Sequence, residues 1–383
     1  MIKKTGNMNA CQSFAVKVTG NSHIKQDKEC QDACAHETNS DISIAVVADG
    51  HGDDNCFRSA RGSKFAVACA ARGISDFIKY LNEPDGKQKI FQKKPGFRKD
   101  EFSKEQAEKC LRERLIRDGI IRAWYKLAAD DFTNSPFTEE ELKGVEEKYR
   151  NQYLKSENFH HAYGTTLIAA VVTEDFWFGI HIGDGRLTAL YPDGTYDQPV
   201  PWDEKCFLNR TTSLCDDDAY ERARCYFSFH SARQLPAAVF LCSDGIDDNY
   251  PVDGNEKHLF KLYRTVALAF AEDGFESTCK QLEDLADQFA TRGKGDDTSI
   301  AGFIDMEGLK KAVSVWRRQI AEEEAAENAV KAVKNEAQTE TETESEKPGS
   351  TLVHDALKTI EAYNKQIGAL KGDALNYGGF ESH

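Results

Sequence analysis

A chain of 383 residues, 40% of them hydrophobic, can hold one large domain of about 250–300 residues plus an appendage, or two domains. No run of about 18 apolar residues exists to span a membrane. The formal net charge of −15 argues against wholesale nucleic-acid binding and suits a protein that gathers divalent cations on carboxylates.

The 11 cysteines lie in largely apolar surroundings, as at Cys69 and Cys242. No apolar stretch follows Lys3 and Lys4 to make a secretory signal, so these thiols read as reduced, buried groups of a cytoplasmic protein. Cys30 and Cys34 have no second Cys/His pair at zinc spacing, and core packing is the default reading for them.

Taken in order, residues 13–19 alternate as a strand, and a polar loop through Asp27, Gln31 and Asp32 follows. Ile44-Ala45-Val46-Val47-Ala48 is a buried strand that stops at Asp49-Gly50-His51-Gly52. Helical spacing is predicted over 57–81, 105–129 and about 138–154. Residues 82–105 form a basic loop (Lys87, Lys89, Lys93, Lys94, Arg98, Lys99), read as a solvated surface with a docking site for an acidic partner as the alternative.

Strands are predicted at 165–173 and 176–182, and a hairpin at 187–196 turns on Pro192-Asp193-Gly194. Strands follow near 225–229, 237–242 and 298–304, with helices at 257–271 and 275–291. Strands at both ends of this region with helical pairs between them imply a sheet sandwich with helices outside it.

Four strand ends share a feature. Asp49-Gly50, Gly183-Asp184-Gly185, Ser243-Asp244-Gly245 and Asp296-Asp297 each put an aspartate at the edge of an apolar strand. Mg²⁺ and Mn²⁺ take oxygen ligands, typically a few carboxylates, and keep some of their waters. Such a cluster could hold two cations about 3.5–4 Å apart with an acidified water between them.

The set Gln31-Asp32, Asp49-Gly50-His51-Gly52, Gly164-Thr165-Thr166, Gly183-Asp184-Gly185-Arg186, Ser243 through Asp248 and Asp296-Asp297-Thr298-Ser299 resembles the type 2C metal-dependent serine/threonine protein phosphatases. The motifs come in that family's order over roughly residues 10–305, and the variants around Gly20-Asn21-Ser22-His23 and Cys30-Gln31-Asp32-Ala33 are similar to a divergent, largely bacterial branch.

The resemblance implies an α+β, four-layer αββα sandwich of two antiparallel sheets with a metal site at one end. It implies that Asp49 bridges two cations, that the Gly50 carbonyl binds one, and that Asp244 and Asp296 complete the other. Asp32 matches the holder of metal-bound water, Asp184 the ligand of a looser third metal, and Asp248 a further acidic position. His51 matches the general acid for the leaving alkoxide, and neighbouring carboxylates are expected to stabilise its charged form. His160, His161 and His181 are left as structural.

The chain departs from the family pattern at several places. Gln31 stands where the family has glutamate, Asp27 where it has a phosphate-binding arginine, Asp53 where glycine is common and Asp297 where asparagine is common. His23 or Lys25 are the candidate phosphate-binding replacements.

Beyond residue 305 the composition shifts. Residues 306–336 read as a helical extension with Leu309, Val313, Trp316 and Ile320 on one face. Residues 337–350 read as an acidic flexible linker, and 351–383 as a short helix and tail. The extension is expected to dock on the first domain, because Trp316 needs a surface, or to recruit a partner. The functional expectation is Mg²⁺- or Mn²⁺-dependent hydrolysis of phosphoserine and phosphothreonine in protein substrates by a hydroxide bridging two metals. No nucleic-acid or membrane partner is expected. The alternative is a non-catalytic member that binds phosphoproteins.

Overall fold

Strands that are apolar along their whole length must be covered on both faces, and here they are. The computed structural model of the protein describes residues 11–83, 99–206, 211–251 and 254–336, with 99–102 and 327–336 as backbone only. Among these residues, one antiparallel sheet runs β1 (Cys11–Val18), β10 (Thr298–Asp305), β9 (Ala238–Cys242), β6 (Arg186–Leu190) and β7 (Tyr196–Asp197). The other runs β2 (Ala33–Thr38), β3 (Ile42–Ala48), β4 (Leu167–Thr173), β5 (Phe176–Ile182) and β8 (Arg224–Phe229).

Side chains alternate along a strand, so neighbours in β3 serve different layers. Ala45 and Val47 pack between the sheets with Ile168, Leu187, Val239 and Phe303. Ile44, Val46 and Ala48 face outward onto Ala66, Leu115 and Trp124 of the helices at Ser59–Asn82 and 99–134. On the opposite face, Phe240 and Ile300 pack against Leu259, Tyr263 and Phe289 of the helices Asn255–Glu272 and Phe275–Arg292. The result is the αββα sandwich.

Several elements differ from the sequence expectation. The helix expected from Glu105 begins at Lys99 and continues through a π-helical middle, Leu111–Ile121, to Asn134. Residues 138–146 turn instead of forming a helix, which runs only Glu147–Leu154. Glu141 there is drawn out of helical register by its partners: Arg58 Nε donates to its Oε1 at 2.8 Å and Thr138 N to its Oε2 at 2.8 Å. Arg58 is buried and also donates to Tyr163 Oη and the Ser135 carbonyl. The polar loop after β1 contains the short helix Asn21–Lys25 and all of β2. β2 runs from buried to exposed without alternating, so it leaves no period-two signal.

The helix Met306–Glu336 follows β10 directly. Trp316 is fully buried beside Leu309 and Ala312, and its Nε1 donates to the Gly194 carbonyl at 3.3 Å. Arg264 meets both carboxylate oxygens of Glu323, at 3.1 and 2.7 Å. Lys87, Lys89, Lys93, Lys94 and Arg98 of the basic loop, and the linker and final helix expected beyond residue 336, lie outside the described residues. Among the described residues no helix is long and apolar enough to cross a membrane.

Candidate metal centre

Antiparallel pairing gathers the aspartate-bearing strand ends at one end of the sandwich. Ala33 pairs with Ala48, Val47 with Ile168, Cys242 with Arg186 and Val18 with Thr298. Asp32, Asp49, Asp184, Asp244 and Asp296 all lie just beyond these last pairs. Two sheets therefore contribute to one site.

Asp49 is fixed through its backbone. Its N–H donates to Thr166 Oγ1 at 3.0 Å, and its carbonyl accepts from Thr165 Oγ1 and Thr166 N at 2.8 Å each. That leaves its carboxyl to share a hydrogen bond with Asp244. Burial drives Asp49 well above the usual carboxylate range, and Asp244, Asp32 and Asp184 add to the effect. Asp244 is driven up by burial, then by Asp184, Asp296 and Asp248.

Asp184 sits in a turn that Gly183 makes at φ +115°, and burial raises it, partly opposed by a Thr211 hydrogen bond. Asp296 lies at the open side and is raised by desolvation, with Asp297 and Asp248 contributing and His23 opposing. Asp32 is fully buried. The Ser243 and Ser299 hydroxyls lie near it and favour its charge, yet neither meets Oδ1 or Oδ2 with hydrogen-bond geometry.

These groups fit hard divalent cations. The mutual repulsion of these carboxyls and the unpartnered oxygens of Asp32 both cost stability, and a bound cation would offset both. The arrangement is loose. Asp49 and Asp244 share a hydrogen bond, whereas among the described residues the three-ligand cluster whose atoms all lie within 4.8 Å of one another is Asp217 with His160 and His161 of the turn before Gly164. Such looseness matches an ion that keeps several waters.

The neighbours of the site do not all match expectation. His51 N donates to the Gly164 carbonyl at 3.1 Å, so the loop from Asp49 is tied to the start of β4. The expected stabilisation of its charged form is not met: burial pushes His51 down to about 4, and only Asp53 opposes this. Buried His23 faces Asp297 Oδ2 at 2.9 Å through Nδ1 and Asp296 Oδ1 at 4.0 Å through Nε2. Lys25 is exposed at the end of its short helix. Exposed Asp248 pairs with Lys294 Nζ at 2.7 Å. Gln31 is structural on one side, with Nε2 donating to Ser59 Oγ at 2.9 Å, while its Oε1 is buried without a partner.

One residue has a role that sequence reasoning missed. Asp297 accepts from Gly20 N at 2.7 Å and from Gln31 N at 2.6 Å, so it joins the ends of β1 and β10 to the loop that carries Asp32. The doubled aspartate was the only signal for it.

A sequence profile of the family described as Protein phosphatase 2C matches residues 19–289. Curated proteins give no sequence match. Similar solved structures include the serine/threonine phosphatase Stp1 from Staphylococcus aureus, with 16% identity over 76% of this chain and 94% of that one at a TM-score of 0.43. Another is PppA, a regulatory component of T6SS in Pseudomonas aeruginosa, with 15% identity over 77% and 97% of the two chains at a TM-score of 0.46. A third is the catalytic domain of the serine threonine protein phosphatase PstP in complex with two manganese ions, with 15% identity, the same coverages and a TM-score of 0.39.

Proposed function

The chain belongs to the protein phosphatase 2C family, and on that premise we propose that it hydrolyses phosphoserine and phosphothreonine monoesters in proteins, using Mg²⁺ or Mn²⁺ held at the acidic centre. One observation carries the reading: strand pairing brings carboxyls spread over the sequence from Asp32 to Asp296 to one end of the sandwich, where burial, and then their mutual repulsion, raises their pKa, an arrangement that cations stabilise.

Asp49 and the Gly50 carbonyl would hold one cation, and Asp49, Asp244 and Asp296 a second. Asp32 would anchor bound water, and Asp184 with Asp248 would take a looser third. When bound, the cations supply positive charge against the phosphoryl oxygens and lower the pKa of the attacking water. Thr165 and Thr166 keep Asp49 from rotating away, and Asp297 holds the Asp32 loop against β10.

Burial, which lowers the His51 pKa to about 4, favours the uncharged ring in the free protein. A phosphate dianion arriving beside it favours the imidazolium, so substrate binding and proton uptake are linked. An imidazole nitrogen then donates that proton to the departing serine or threonine alkoxide, an effect worth typically 10²–10⁴-fold. The buried free thiols at Cys69, Cys206 and Cys242 support a reducing, cytoplasmic setting.

The test is hydrolysis of an aryl phosphate and of a phosphopeptide with Mn²⁺, with EDTA, and with Asp49→Asn. Metal-dependent turnover that EDTA and Asp49→Asn abolish is expected; absence of such turnover on both substrates sinks the enzyme reading. A second reading, a non-catalytic phosphoprotein-binding scaffold, is kept open by Gln31 and by Asp27, which stands at the position of the missing phosphate-binding arginine. Arg186 does not replace it, because its guanidinium is committed to Asp247 at 3.0 Å and to the Trp202 ring. Phosphopeptide binding without turnover would establish that alternative.

A further inference from the structure

We propose that His160, His161 and Asp217 form a separate site for a borderline transition metal of the Zn²⁺ class, which ties the 213–218 segment to the turn that precedes Gly164. One ligand atom from each of the three lies within 4.8 Å of the other two. The two histidines sit side by side in the 3₁₀ turn Phe159–Tyr163, with ring centroids 4.7 Å apart and planes at 90°. His160 Nδ1 and His161 Nε2 are buried and meet no hydrogen-bond partner. Two buried nitrogens left unpaired are costly, and a metal ion is a partner that satisfies both.

The chemistry of the set decides the class of ion. Two imidazoles and one carboxylate suit Zn²⁺, Co²⁺ or Ni²⁺, whereas Mg²⁺ prefers all-oxygen surroundings. Burial lowers the pKa of both rings and so favours the neutral imidazole, the form that offers a lone pair. Aromatic neighbours fix the rings in place: Tyr125 and Phe159 lie 5.2 and 5.7 Å from His160, and Tyr149 lies 6.3 Å from His161. Zn–N bonds of about 2.0–2.1 Å put neighbouring tetrahedral ligands about 3.3 Å apart, so closure from separations of at most 4.8 Å requires a shift of up to about 1.5 Å. Exposed Asp217 can supply that shift.

The position gives the ion a purpose. His161 O accepts from Gly164 N at 3.1 Å, and Gly164 O in turn accepts from His51 N at 3.1 Å. On the other side, Leu214 N donates to the Thr165 carbonyl at 2.9 Å and Ser213 Oγ to the same carbonyl at 3.1 Å. An ion joining Asp217 to the histidines closes this ring of contacts around Gly164 and Thr165, the residues that hold His51 and Asp49.

The experiment titrates the chelator-stripped full chain with Co²⁺ in the presence of excess Mg²⁺, which occupies the all-oxygen centre, and reads visible absorption and bound metal per chain. The parent and Asp49→Asn are expected to bind one Co²⁺ with the strong visible bands of a four-coordinate, nitrogen-containing site. His161→Ala and Asp217→Asn are expected to lose at least about 10–100-fold in affinity, since even outer-shell partners contribute that much. Asp217 is exposed, so its variant carries the test if His161→Ala misfolds. Equal Co²⁺ binding and equal spectra in the parent and Asp217→Asn, or no Co²⁺ bound by the parent, would overturn the proposal.

Discussion

Gly245→Ala probes how closely the acidic centre depends on the approach of two backbones. Gly245 follows Asp244 at the start of the short helix Asp244–Asp247. A Cβ there would stand 2.0 Å from the Asp297 carbonyl oxygen, 2.9 Å from Thr298 Oγ1 and 3.0 Å from the Asp297 carbonyl carbon. Real Cβ contacts stop near 3.0 Å, so the two segments must part by about 1 Å. Neither yields easily, because Ser243 N bonds the Ser299 carbonyl at 3.1 Å and Ser299 N bonds Ser243 Oγ at 3.0 Å.

The parted segments carry Asp244 and Asp296, the two carboxylates proposed for one cation. A misplacement of about 1 Å costs on the order of 10²-fold in rate, and overpacking costs about 1–3 kcal/mol in stability. Mn²⁺ titration of phosphopeptide hydrolysis, with urea denaturation in parallel, should show about 10²-fold lower kcat/KM and a raised Mn²⁺ requirement in a folded protein. Full activity with an unchanged Mn²⁺ requirement would refute the reasoning.

Trp316→Ala should lower stability in urea by about 3–5 kcal/mol, because it empties a fully buried site; a loss under about 1 kcal/mol would show that the C-terminal helix is not part of the folded unit. Gly164→Ala would bring a Cβ within 2.6 Å of His51 Cδ2, and displacement of that ring should slow turnover while Mn²⁺ affinity holds. His51→Gln should slow phosphoserine hydrolysis by about 10²–10⁴-fold but aryl phosphate hydrolysis far less, since a phenolate leaves without protonation; equal losses on both would remove the general-acid role. In the metal-free protein the His51 pKa falls from 6.5 to about 4 on folding. The unfolded chain then binds the extra proton, so this group's contribution to stability is complete above pH 6.5 and lost as pH falls toward 4, at up to about 1.4 kcal/mol per pH unit. The buried carboxyls act in the opposite sense, so the difference between parent and His51→Gln isolates it; parallel pH curves would contradict the burial argument.

The acidic centre was legible in the sequence because each apolar strand is bounded abruptly, ending at or, for Asp296, beginning after an aspartate with glycine or a second aspartate beside it. Asp49, Asp184, Asp244 and Asp296 carry that signature, and the two-faced burial of β3, β4 and β9 was visible as unbroken apolar runs. β2 was not legible, since Ala-Cys-Ala-His-Glu-Thr grades from buried to exposed along an edge. Nor was the turn at 138–146, where tertiary bonds from Arg58 override helical spacing. The lowered pKa of His51 comes from burial, to which residues distant in sequence such as Gly164 contribute by packing beside the ring. The His160–His161–Asp217 cluster was hidden for the same reason: Asp217 lay in an irregular acidic stretch with no period to place it.

The pairing of β1 with β10 joins residues 11–18 to residues 298–305, and the Gly20–Asp297 hydrogen bond closes the same long loop. Contacts of such wide sequence separation form late and slowly, after the loop-closure entropy has been met. During synthesis, the chain cannot assemble this centre until the last strand has left the ribosome, since Asp296 and the partner of β1 do not yet exist. The order of translation thus sets when the acidic centre can form: only after β10 has joined β1 and the sandwich has closed.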